Sequence, residues 1–586
     1  MHDRASIAAA LRELGALLEL TGENSFKVRA YENGAHALEH AEGDLGWLVA
    51  EGRLTSLKNI GRALAERITE LYTTGHCEQL DRLRDALPPG ILELSQVPNL
   101  GPKKAMALRD LLGVASVAEL KVACAAGLVR GLKGFGEKTE QNLLEGIARW
   151  EKRETRMRLE DALLEAERLL AFLRASPAVE RAEAAGSLRR WRETVGDLDV
   201  IVATRDADGA MARFVDYPAI AKVEARGDTK CTVRLSNGLQ VDLRAVAPED
   251  FWTALHHFTG SKAHHVKLRG LARDRGLTIS EYGVFRRPPG ARDPAEGAPP
   301  PVAGEKLPVS SEAELYSHLG LQLVPPELRE DVGELELARA GRLPDYLEQS
   351  DIQGLVHCHT VYSDGRNTVE EMARAADALG MKYLTITDHS PAAGYAGGLT
   401  VDRLKAQWDE IARVQERVKV RLLRGTESDI LEDGALDWPD EILEQLDVVI
   451  ASVHSRLKMD EDAMTRRLVA AMRRPQFKIW GHALGRLIGK RPPFACRVEE
   501  VLDAAAESRA AIEVNGDPHR LDMEPRWLRE AAKRGLRFVV SVDAHSTAAF
   551  DYLRFGVHTA RRGGLTRAQV LNTLDVEAFC AAVRPA

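Results

Sequence analysis

The stretch GLVHCHTVYSDG, residues 354–365, begins a series of short apolar runs that each end in side chains able to bind metal. The later runs end in TDH, GTE, ASVH, GHALGR and DAH. Segments with apolar residues at helical spacing, such as TVEEMARAADALGM, lie between these runs. The alternation of apolar strands with helices predicts an α/β barrel-like unit from about Asp351 to residue 586.

Nine candidate metal ligands follow the apolar runs. We expect them to converge, because active-site groups of α/β barrels lie at the C-terminal ends of the strands. Imidazole and carboxylate ligands together suit zinc, manganese or iron, and ions that share a carboxylate can activate water for phosphoryl displacement. The spacings HxH and DxH predict ligand pairs on one strand face, with Cys358 packed on the other. The nine are His357, His359, Asp364, His389, Glu427, His454, His482, Asp543 and His545.

The length of 586 residues exceeds what one hydrophobic core usually holds, so we expect several domains. A composition of 45% hydrophobic and 29% charged residues is that of a soluble globular protein. No apolar run approaches the roughly 20 residues that span a bilayer, and the amphipathic start of the chain is a poor signal peptide. Six widely separated cysteines predict reduced thiols and a cytoplasmic location. A net charge of −8 means that nucleic-acid binding would depend on local patches and backbone donors.

Three glycine-centred turns, NIG, NLG and GFG, separate short helices in residues 1–150 and contain Gly61, Gly101 and Gly136. Glycine allows close approach, and the N–H groups at the start of the next helix can bind a phosphate. One such turn is equally well a plain connection between helices. Three of them predict DNA binding that is indifferent to sequence.

A second acidic constellation follows the turn Gly186-Ser187. Asp197 and Asp199 share a strand face, and Asp242 lies on a later strand that could pair alongside. Three converging carboxylates can hold two Mg²⁺ ions, which activate a primer 3′-hydroxyl and stabilise the leaving pyrophosphate. The turn and Arg190 offer donors for a phosphate group.

With these motifs, residues 1–325 resemble family X DNA polymerases, and the whole chain resembles bacterial members that carry a C-terminal polymerase-and-histidinol-phosphatase (PHP) domain. The implied fold class is multidomain α+β and α/β, with a helix-hairpin-helix N-terminal region, a polymerase-beta-like nucleotidyltransferase palm and a distorted (β/α)7 PHP barrel. The implied divisions are a small helical DNA-binding domain (1–85), a helix-hairpin-helix region (86–150), the palm (151–246), a nucleotide-binding C-terminal polymerase subdomain (247–325), a linker (326–350) and the PHP metallohydrolase domain (351–586).

The resemblance also implies residue roles in the polymerase half. Asp197, Asp199 and Asp242 would be the catalytic metal ligands. The nucleotide would contact Gly186, Ser187, Arg190, His257, Phe258, Gly260 and His265, and DNA would contact Lys27, Tyr31, Gly61, Gly101, Gly136, Arg244 and Arg269. Histidine replaces the family's tyrosine at 257 and its asparagine at 265, which leaves sugar and base selection open. Arg67 stands where some relatives have a Schiff-base lysine, so lyase activity is expected to be absent or weak.

In the barrel the resemblance implies three ions. One would be bound by His357, His359, Glu427 and Asp543, the second by Glu427, His454 and His482, and the third by Asp364, His389 and His545. Asp388 is expected to support this centre. Arg486 and Lys490 are equally well substrate-phosphate contacts or a solvated basic face.

The implied function is gap filling in DNA repair, including base excision repair, on gapped or primed DNA with dNTPs and with Mg²⁺ or Mn²⁺. The PHP site, with three Zn²⁺ or Mn²⁺ ions, would supply 3′–5′ exonuclease, abasic-site endonuclease or 3′-phosphatase activity. A monomer is expected. Two alternatives stay open: a DNA-binding phosphoesterase with an inactive polymerase half, and a small-molecule phosphatase. The sequence does not decide between the metals or rank the three hydrolytic activities.

Overall fold

The computed structural model describes residues 4–21, 23–39, 45–57, 59–87, 90–95, 97, 100–132, 134–151, 156–288 and 304–583. The chain forms two compact units, Met1–Glu154 and Thr155–Ala586. None of the described helices is long and apolar enough to cross a membrane.

The first unit is helical. One continuous apolar cluster runs from Ile7 to Ile147. The predicted boundary between a domain 1–85 and a region 86–150 stays a prediction; it falls at the end of the helix Glu78–Ala86. The helices are α1 (Arg4–Leu20), α2 (Ser25–Glu39), α3 (Leu45–Ala50), α4 (Arg62–Thr74), α5 (Glu78–Ala86), α6 (Ile91–Ser95), α7 (Pro102–Leu112), α8 (Val117–Ala125) and α9 (Glu137–Glu151).

The second unit begins with the palm, whose five-stranded sheet has the order β2-β4-β7-β6-β5. Only the β4–β7 pair of this sheet is parallel, which places the carboxyl ends of these two strands together. A separate short pair joins β1 to β3. The elements are β1 (Met157–Arg158), α10 (Leu159–Arg174), β2 (Arg181–Ala184), α11 (Gly186–Arg189), β3 (Thr194–Val195), β4 (Asp197–Ala203), α12 (Ala207–Val215), β5 (Ile220–Arg226), β6 (Lys230–Leu235) and β7 (Gln240–Val246).

The following subdomain packs helices against a three-stranded antiparallel sheet of order β10-β9-β8. Its elements are α13 (Phe251–Thr259), α14 (Lys262–Asp274), β8 (Leu277–Ser280), β9 (Gly283–Arg286), β10 (Lys306–Leu307), α15 (Glu312–His318) and α16 (Glu334–Arg339). The division that makes 326–350 a linker stays a prediction. Within this range Leu328, Leu335 and Ala338 are buried in the same core as Leu268 and Leu315.

The last part is a barrel of seven parallel strands in sequential order from β11 to β17. Two backbone hydrogen bonds close it: the His359 N–H donates to Ala544 (2.8 Å), and the Ala544 N–H donates to His357 (2.9 Å). The predicted (β/α)7 barrel is therefore confirmed. Its strands are β11 (Gly354–Leu355), β12 (Tyr383–Ile386), β13 (Arg421–Asp429), β14 (Val448–Ser452), β15 (Ile479–Trp480), β16 (Ala511–Asn515) and β17 (Phe538–Ser541). Its helices are α17 (Val369–Ala378), α18 (Val401–Gln415), α19 (Asp440–Leu443), α20 (Glu461–Met472), α21 (Val498–Ser508), α22 (Pro525–Lys533), α23 (Leu553–Arg562) and α24 (Val576–Val583).

The palm packs directly on the barrel within the second unit. The Arg486 guanidinium lies 3.1 Å from the Glu193 carboxylate. The Trp191 ring stacks on His558 with 3.5 Å between ring centroids. The barrel residue Phe555 is buried in the apolar cluster of the palm. Charged, aromatic and apolar contacts thus join the two parts.

Candidate functional sites

Every strand of the barrel brings a polar side chain to one end of the sheet. Glu427 lies within β13, and the other eight predicted ligands follow the carboxyl ends of β11, β12, β14, β15 and β17. Apolar side chains fill the strands themselves. The ligands therefore gather where the strand ends of a barrel converge.

The HxH and DxH motifs lie beyond the ends of their strands, so strand alternation is not what brings their side chains together. β11 and β17 both end two residues before the first ligand of each motif. His357 and Asp543 have left-handed backbone, with φ of 68° and 52°, which is strained for residues other than glycine. The ring nitrogens of His357 and His359 reach the same Asp543 oxygen, at 3.4 and 3.1 Å. Cys358 between them is fully buried in the barrel core, as expected.

The ligand atoms form three overlapping groups whose members lie within 4.8 Å of one another. The groups are His357, His359, Glu427 and Asp543; His359, Asp364, His389 and His545; and His389, Glu427 and His454. His482 joins the last group, because its Nε2 lies 2.9 Å from Glu427 Oε1 and 3.2 Å from His454 Nε2. All nine predicted ligands are thus brought together, with His359 and His389 shared more widely than the predicted sets have them.

The donor atoms of this cluster fit metal ions. Buried atoms without a hydrogen-bond partner among the described residues include His357 Nε2, both ring nitrogens of His359, Glu427 Oε2 and Asp543 Oδ1. Each such atom would cost about 1–3 kcal/mol if it stayed unsatisfied. Burial alone would raise the pKa of Glu427, but His454, His357 and His389 hold it well below its usual range. Without metal these rings supply the positive charge as bound protons; once a divalent ion displaces those protons, the ionised carboxylate and the imidazole nitrogens form a ligand set that suits it.

Two carboxylates that the sequence analysis missed orient the ligand rings. Glu513, inside β16, accepts from the Nδ1–H of His357 at 2.5 Å. Asp429 accepts from the Nδ1–H of His454 at 2.5 Å. Both contacts leave Nε2 of each ring free to bind metal. A lone carboxylate within the apolar strand AIEVN is the signal that could have identified Glu513.

Asp388 and Arg486 both form hydrogen bonds or ion pairs within the protein. Asp388 is 1% exposed, and it accepts hydrogen bonds from the backbone and side chain of Thr360 and from Gln407. It therefore holds the loop between two ligands, which agrees with a supporting role. Arg486 donates to the Arg520 carbonyl at 2.8 Å and pairs with Glu193, so its guanidinium joins the barrel to the palm.

A different arginine faces the ligand cluster. The Nε of Arg520 lies 3.4 Å from Asp543 Oδ2, and its side chain is 18% exposed. Lys490 is exposed on the surface. Arg520 was not predicted, because nothing in its local sequence marks it as facing the strand ends.

The palm aspartates lie on adjacent parallel strands. Asp199 of β4 is the register partner of Asp242 of β7, and Asp197 is two residues earlier on the same face as Asp199. Burial, then Asp197 and Asp242, raise the pKa of Asp199 to about 7. Thr232 and Gln240 donate to the two oxygens of Asp242 at 2.5 and 2.7 Å. The triad is not among the groups of described residues whose ligand atoms all lie within 4.8 Å of one another.

The turn before the triad is shaped for close approach. Gly186 has φ +60°, and a Cβ there would lie 2.2 Å from Asp199 Oδ2. The Ser187 hydroxyl is buried and has no hydrogen-bond partner among the described residues, which fits an expected phosphate contact. Arg190 is engaged within the protein, because its Nε lies 3.1 Å from Glu330 Oε1.

The other predicted nucleotide contacts lie at the end of α13 and the start of α14. Burial lowers the pKa of His265 to about 3, and its neutral ring donates to the His257 carbonyl at 2.8 Å. Gly260 adopts φ 69°. Two predicted DNA contacts belong to the same half of the chain. The Arg244 guanidinium lies 4.2 Å from the centre of the Phe258 ring, and Arg269 is half-buried on α14.

The three glycine turns of the first unit share one geometry. In each turn the apolar residue before the glycine is buried, and its N–H donates to the carbonyl three residues earlier at 3.0 or 3.1 Å. Gly61, Gly101 and Gly136 then precede α4, α7 and α9. A Cβ on any of these glycines would meet no atom of the described residues within 4 Å, and none of the three has positive φ. Gly61 and Gly101 are the N-caps of α4 and α7, a position that favours glycine over alanine, and the open space in front of the three glycines would admit a phosphate.

The predicted DNA contacts Lys27 and Tyr31, and Arg67 at the position of the lyase lysine, all interact with neighbouring side chains. Lys27 pairs with Glu23 at 3.2 Å. Tyr31 is buried, and its hydroxyl donates to Gln79 Oε1 at 3.3 Å. Arg67 pairs with Glu70 at 2.7 Å.

Comparisons with known proteins match each part of this architecture. Models of a helix-hairpin-helix domain and a SAM-like helix-hairpin-helix tandem match residues 2–77 and 91–149. The DNA polymerase beta thumb model matches 254–330, and the PHP domain model matches 356–517. A Bacillus subtilis protein named DNA polymerase/3′-5′ exonuclease PolX is 38% identical over 585 residues, 99% of each chain. The chain belongs to the PolX family.

Two further relatives each match one part of this PolX-family chain. DNA polymerase lambda of Rattus norvegicus is 26% identical over 310 residues, which are 47% of this chain and 48% of that protein. A probable phosphatase of Thermoanaerobacter sp. (strain X514) is 31% identical over 231 residues, 37% of this chain and 89% of the phosphatase.

Proposed function

We propose that this PolX-family chain fills short gaps in DNA and that its barrel removes nucleotides or blocking groups from 3′ ends. The observation that carries the proposal is that one compact unit contains both the aspartates of β4 and β7 and the nine-ligand cluster. A 3′ end processed in the barrel is the primer that the palm would extend.

In the palm, Asp197, Asp199 and Asp242 would hold two Mg²⁺ or Mn²⁺ ions. Such ions lower the barrier to attack by a 3′-hydroxyl and neutralise the leaving pyrophosphate. The Gly186 turn allows the triphosphate to approach, and the buried Ser187 hydroxyl would donate to it. Arg190 would reach the phosphates on leaving Glu330.

In the barrel, the three overlapping groups would each hold one Zn²⁺ or Mn²⁺ ion. Such ions activate water and stabilise the charge of a cleaved phosphoester. Glu513 and Asp429 fix the tautomers of two imidazoles, and Arg520 offers a positive charge at the partly exposed side of the cluster. Asp364 and His545 are 35% and 39% exposed, so a strand end would enter over them.

The three glycine turns would hold the DNA backbone without reading its sequence. Lyase activity is proposed to be absent or weak, since a guanidinium that is paired with a carboxylate is a poor nucleophile. The proposal also includes the predicted domain divisions, a monomer and a cytoplasmic location.

Two variants test the assignment of activities to sites. Asp199→Ala should abolish nucleotide addition on gapped DNA and spare 3′–5′ degradation, while His359→Ala should do the reverse. The substrates would carry 3′-hydroxyl or 3′-phosphate ends, with Mg²⁺ or Mn²⁺. Equal loss of both activities in either folded variant would refute the two-site proposal.

A second candidate is a phosphatase, which the likeness of 37% of the chain to a probable phosphatase favours. Release of inorganic phosphate from a 3′-phosphate end would assign it to DNA. Hydrolysis of histidinol phosphate without cleavage of DNA would favour a small-molecule substrate instead. Failure to extend a gapped substrate even with Mn²⁺ would favour a polymerase half that serves only as a DNA-binding scaffold.

A further inference from the structure

An exposed tyrosine stands at the mouth of the nine-ligand cluster. Tyr395 is 73% exposed, the highest value among the large apolar side chains in the described part of the chain. Its ring centroid lies 6.3 Å from that of His389 and 6.2 Å from that of His454. An aromatic side chain that is left in water beside a reactive centre marks a contact surface for a ligand.

The orientation of the ring leaves room for a partner. The Tyr395 ring is tilted by 58° relative to His389 and by 66° relative to His454. It therefore does not stack on either metal-binding ring, and most of its surface stays in water. A flat group that lies against Tyr395 would be adjacent to the groups that His389 and His454 help to form.

The loop that carries the ring is anchored on both sides. Ala393, Ala396 and Leu399 are buried, with at most 4% exposure. The Leu399 N–H donates to the carbonyl of His389 at 2.8 Å, and the Ala393 N–H donates to Ser390 at 3.1 Å. The position of Tyr395 is thus tied to that of a metal ligand. A contact surface held in this way binds without a large ordering cost.

We propose that Tyr395 stacks on the terminal base of a strand whose 3′-terminal phosphodiester lies on the barrel's ligand cluster. This deepens the proposed function and rests on it, because it makes a nucleotide unit rather than a phosphate group alone the substrate of the barrel. Stacking on an aromatic ring tolerates every base, since each base has a flat π-face. Recognition of this kind suits a hydrolase that removes nucleotides irrespective of sequence.

The test compares two single-stranded oligonucleotides that differ only in whether the 3′-terminal nucleotide carries a base or is an abasic analogue. Both ends present the same phosphodiester. The full-length wild type should cleave the base-bearing end with a kcat/KM about 10- to 100-fold higher, the loss expected from removing one base–aromatic stack. Tyr395→Ala should cleave both ends at the lower rate, whereas Tyr395→Phe and Tyr395→Trp should keep the preference.

Tyr282→Ala is the matched control, because Tyr282 is an exposed tyrosine (41%) of the polymerase half, and it should leave the preference unchanged. Bound-metal content and thermal unfolding would verify each variant, with Tyr395→Leu as a second variant that lacks an aromatic ring. The stacking role is refuted if the wild type shows no preference or if Tyr395→Ala or Tyr395→Leu slows both ends equally. If the wild type cleaves neither end, the proposed exonuclease function itself fails, which is a separate outcome.

Discussion

Asp199 and Asp242 face each other as register partners on parallel strands, yet their pKa values shift in opposite directions. Burial, Asp197 and Asp242 raise the pKa of Asp199 to about 7. Burial alone would also raise the pKa of Asp242, but Thr232, Gln240 and Lys230 lower it below its usual value. The protein fixes one carboxylate by hydrogen bonds and leaves its neighbour to be stabilised by a cation.

This asymmetry predicts how stability depends on pH in metal-free buffer. Folded Asp199 keeps its proton up to about pH 7, because its pKa is raised to about 7, whereas the unfolded group loses the proton near the ordinary aspartate pKa of 3.8. Stability is therefore lost as pH rises through this window. Asp199→Asn should raise stability by about 2–4 kcal/mol at pH 8 and have little effect at pH 4. Thermal unfolding at both pH values in chelator measures this, and Asp242→Asn should give no such gain.

Metal removal should destabilise the second unit. The ligand atoms that lack hydrogen bonds are left uncompensated without ions, and an ion present at 100 times its Kd contributes about 2.7 kcal/mol. Chelator should lower the unfolding temperature of the wild type and, by a smaller amount because the palm site is then lost, that of Asp199→Ala. His359→Ala loses a ligand that two of the barrel groups share. If chelator lowered its unfolding temperature as much as that of the wild type, the barrel cluster would not be the source of the stabilisation.

The carboxylates behind the ligand rings should tune metal affinity separately. Both oxygens of Glu513 accept hydrogen bonds, from His357 and Ser541 on one side and from His482 and Asn515 on the other. Glu513→Gln would place an amide N–H₂ against donors in either orientation. We expect it to weaken binding at the His357 group about 10- to 100-fold.

Asp429→Asn is the counterpart at His454, and we expect a comparable loss there. Competition with a chromogenic chelator would resolve the ions that each variant loses. Equal loss of all ions in both variants would contradict separate tuning.

Alanine at the three helix-hairpin-helix glycines should separate folding from DNA binding. The triple variant Gly61→Ala, Gly101→Ala and Gly136→Ala adds methyl groups into open space. Its unfolding temperature should change little, because alanine restricts the unfolded chain by about 0.4–1 kcal/mol per site but is a poorer helix N-cap than the glycines at 61 and 101. Its affinity for DNA should fall, as measured by fluorescence anisotropy over a salt series. Unaltered affinity would remove these turns from the DNA interface.

Replacing Arg486 should destabilise the protein more than replacing Glu193, its partner in the contact between palm and barrel. Arg486 donates to the Arg520 carbonyl and also pairs with Glu193 and Glu524. Arg486→Met should therefore cost about 3–5 kcal/mol, the range for a broken buried ion pair. Glu193→Gln leaves Arg486 with other acceptors and should cost about 1 kcal/mol. Denaturant unfolding would compare the two.

The exposed pair Arg497–Glu500 serves as the control for this comparison, with side chains 41% and 51% exposed. Arg497→Met should cost less than about 1 kcal/mol. A loss in Arg497→Met equal to that in Arg486→Met would mean that burial does not set the difference.

The sequence was most informative where the chemistry is local. His357 and His359 could be predicted as ligands because rare metal-binding types follow apolar runs, and barrel strands bring such positions together. The palm strands could be predicted from alternation, with Asp197 and Asp199 on one face. The turn residues Gly61, Gly101 and Gly136 could be predicted because the apolar-Gly-helix pattern is short.

The contacts between distant segments could not be predicted in the same way. Arg520, Glu513 and Asp429 act through residues far away in the chain, and their surroundings are set only by packing. The left-handed backbone of His357 leaves no mark in the sequence, because glycine is absent there. The sequence predicts a linker at 326–350, because the core partners of its leucines, such as Leu268, lie far earlier in the chain.

The joint formed by Glu193 with Arg486 and by Trp191 with His558 has a consequence for the choice between extending and trimming a strand. Under the proposed function, a barrel fastened to the palm by these contacts does not swing toward the primer, so the DNA end must travel instead. Travel requires the last base pairs to open, and a mispaired end opens more readily than a paired one. Proofreading would then be governed by the melting of the duplex terminus rather than by a conformational change of the enzyme.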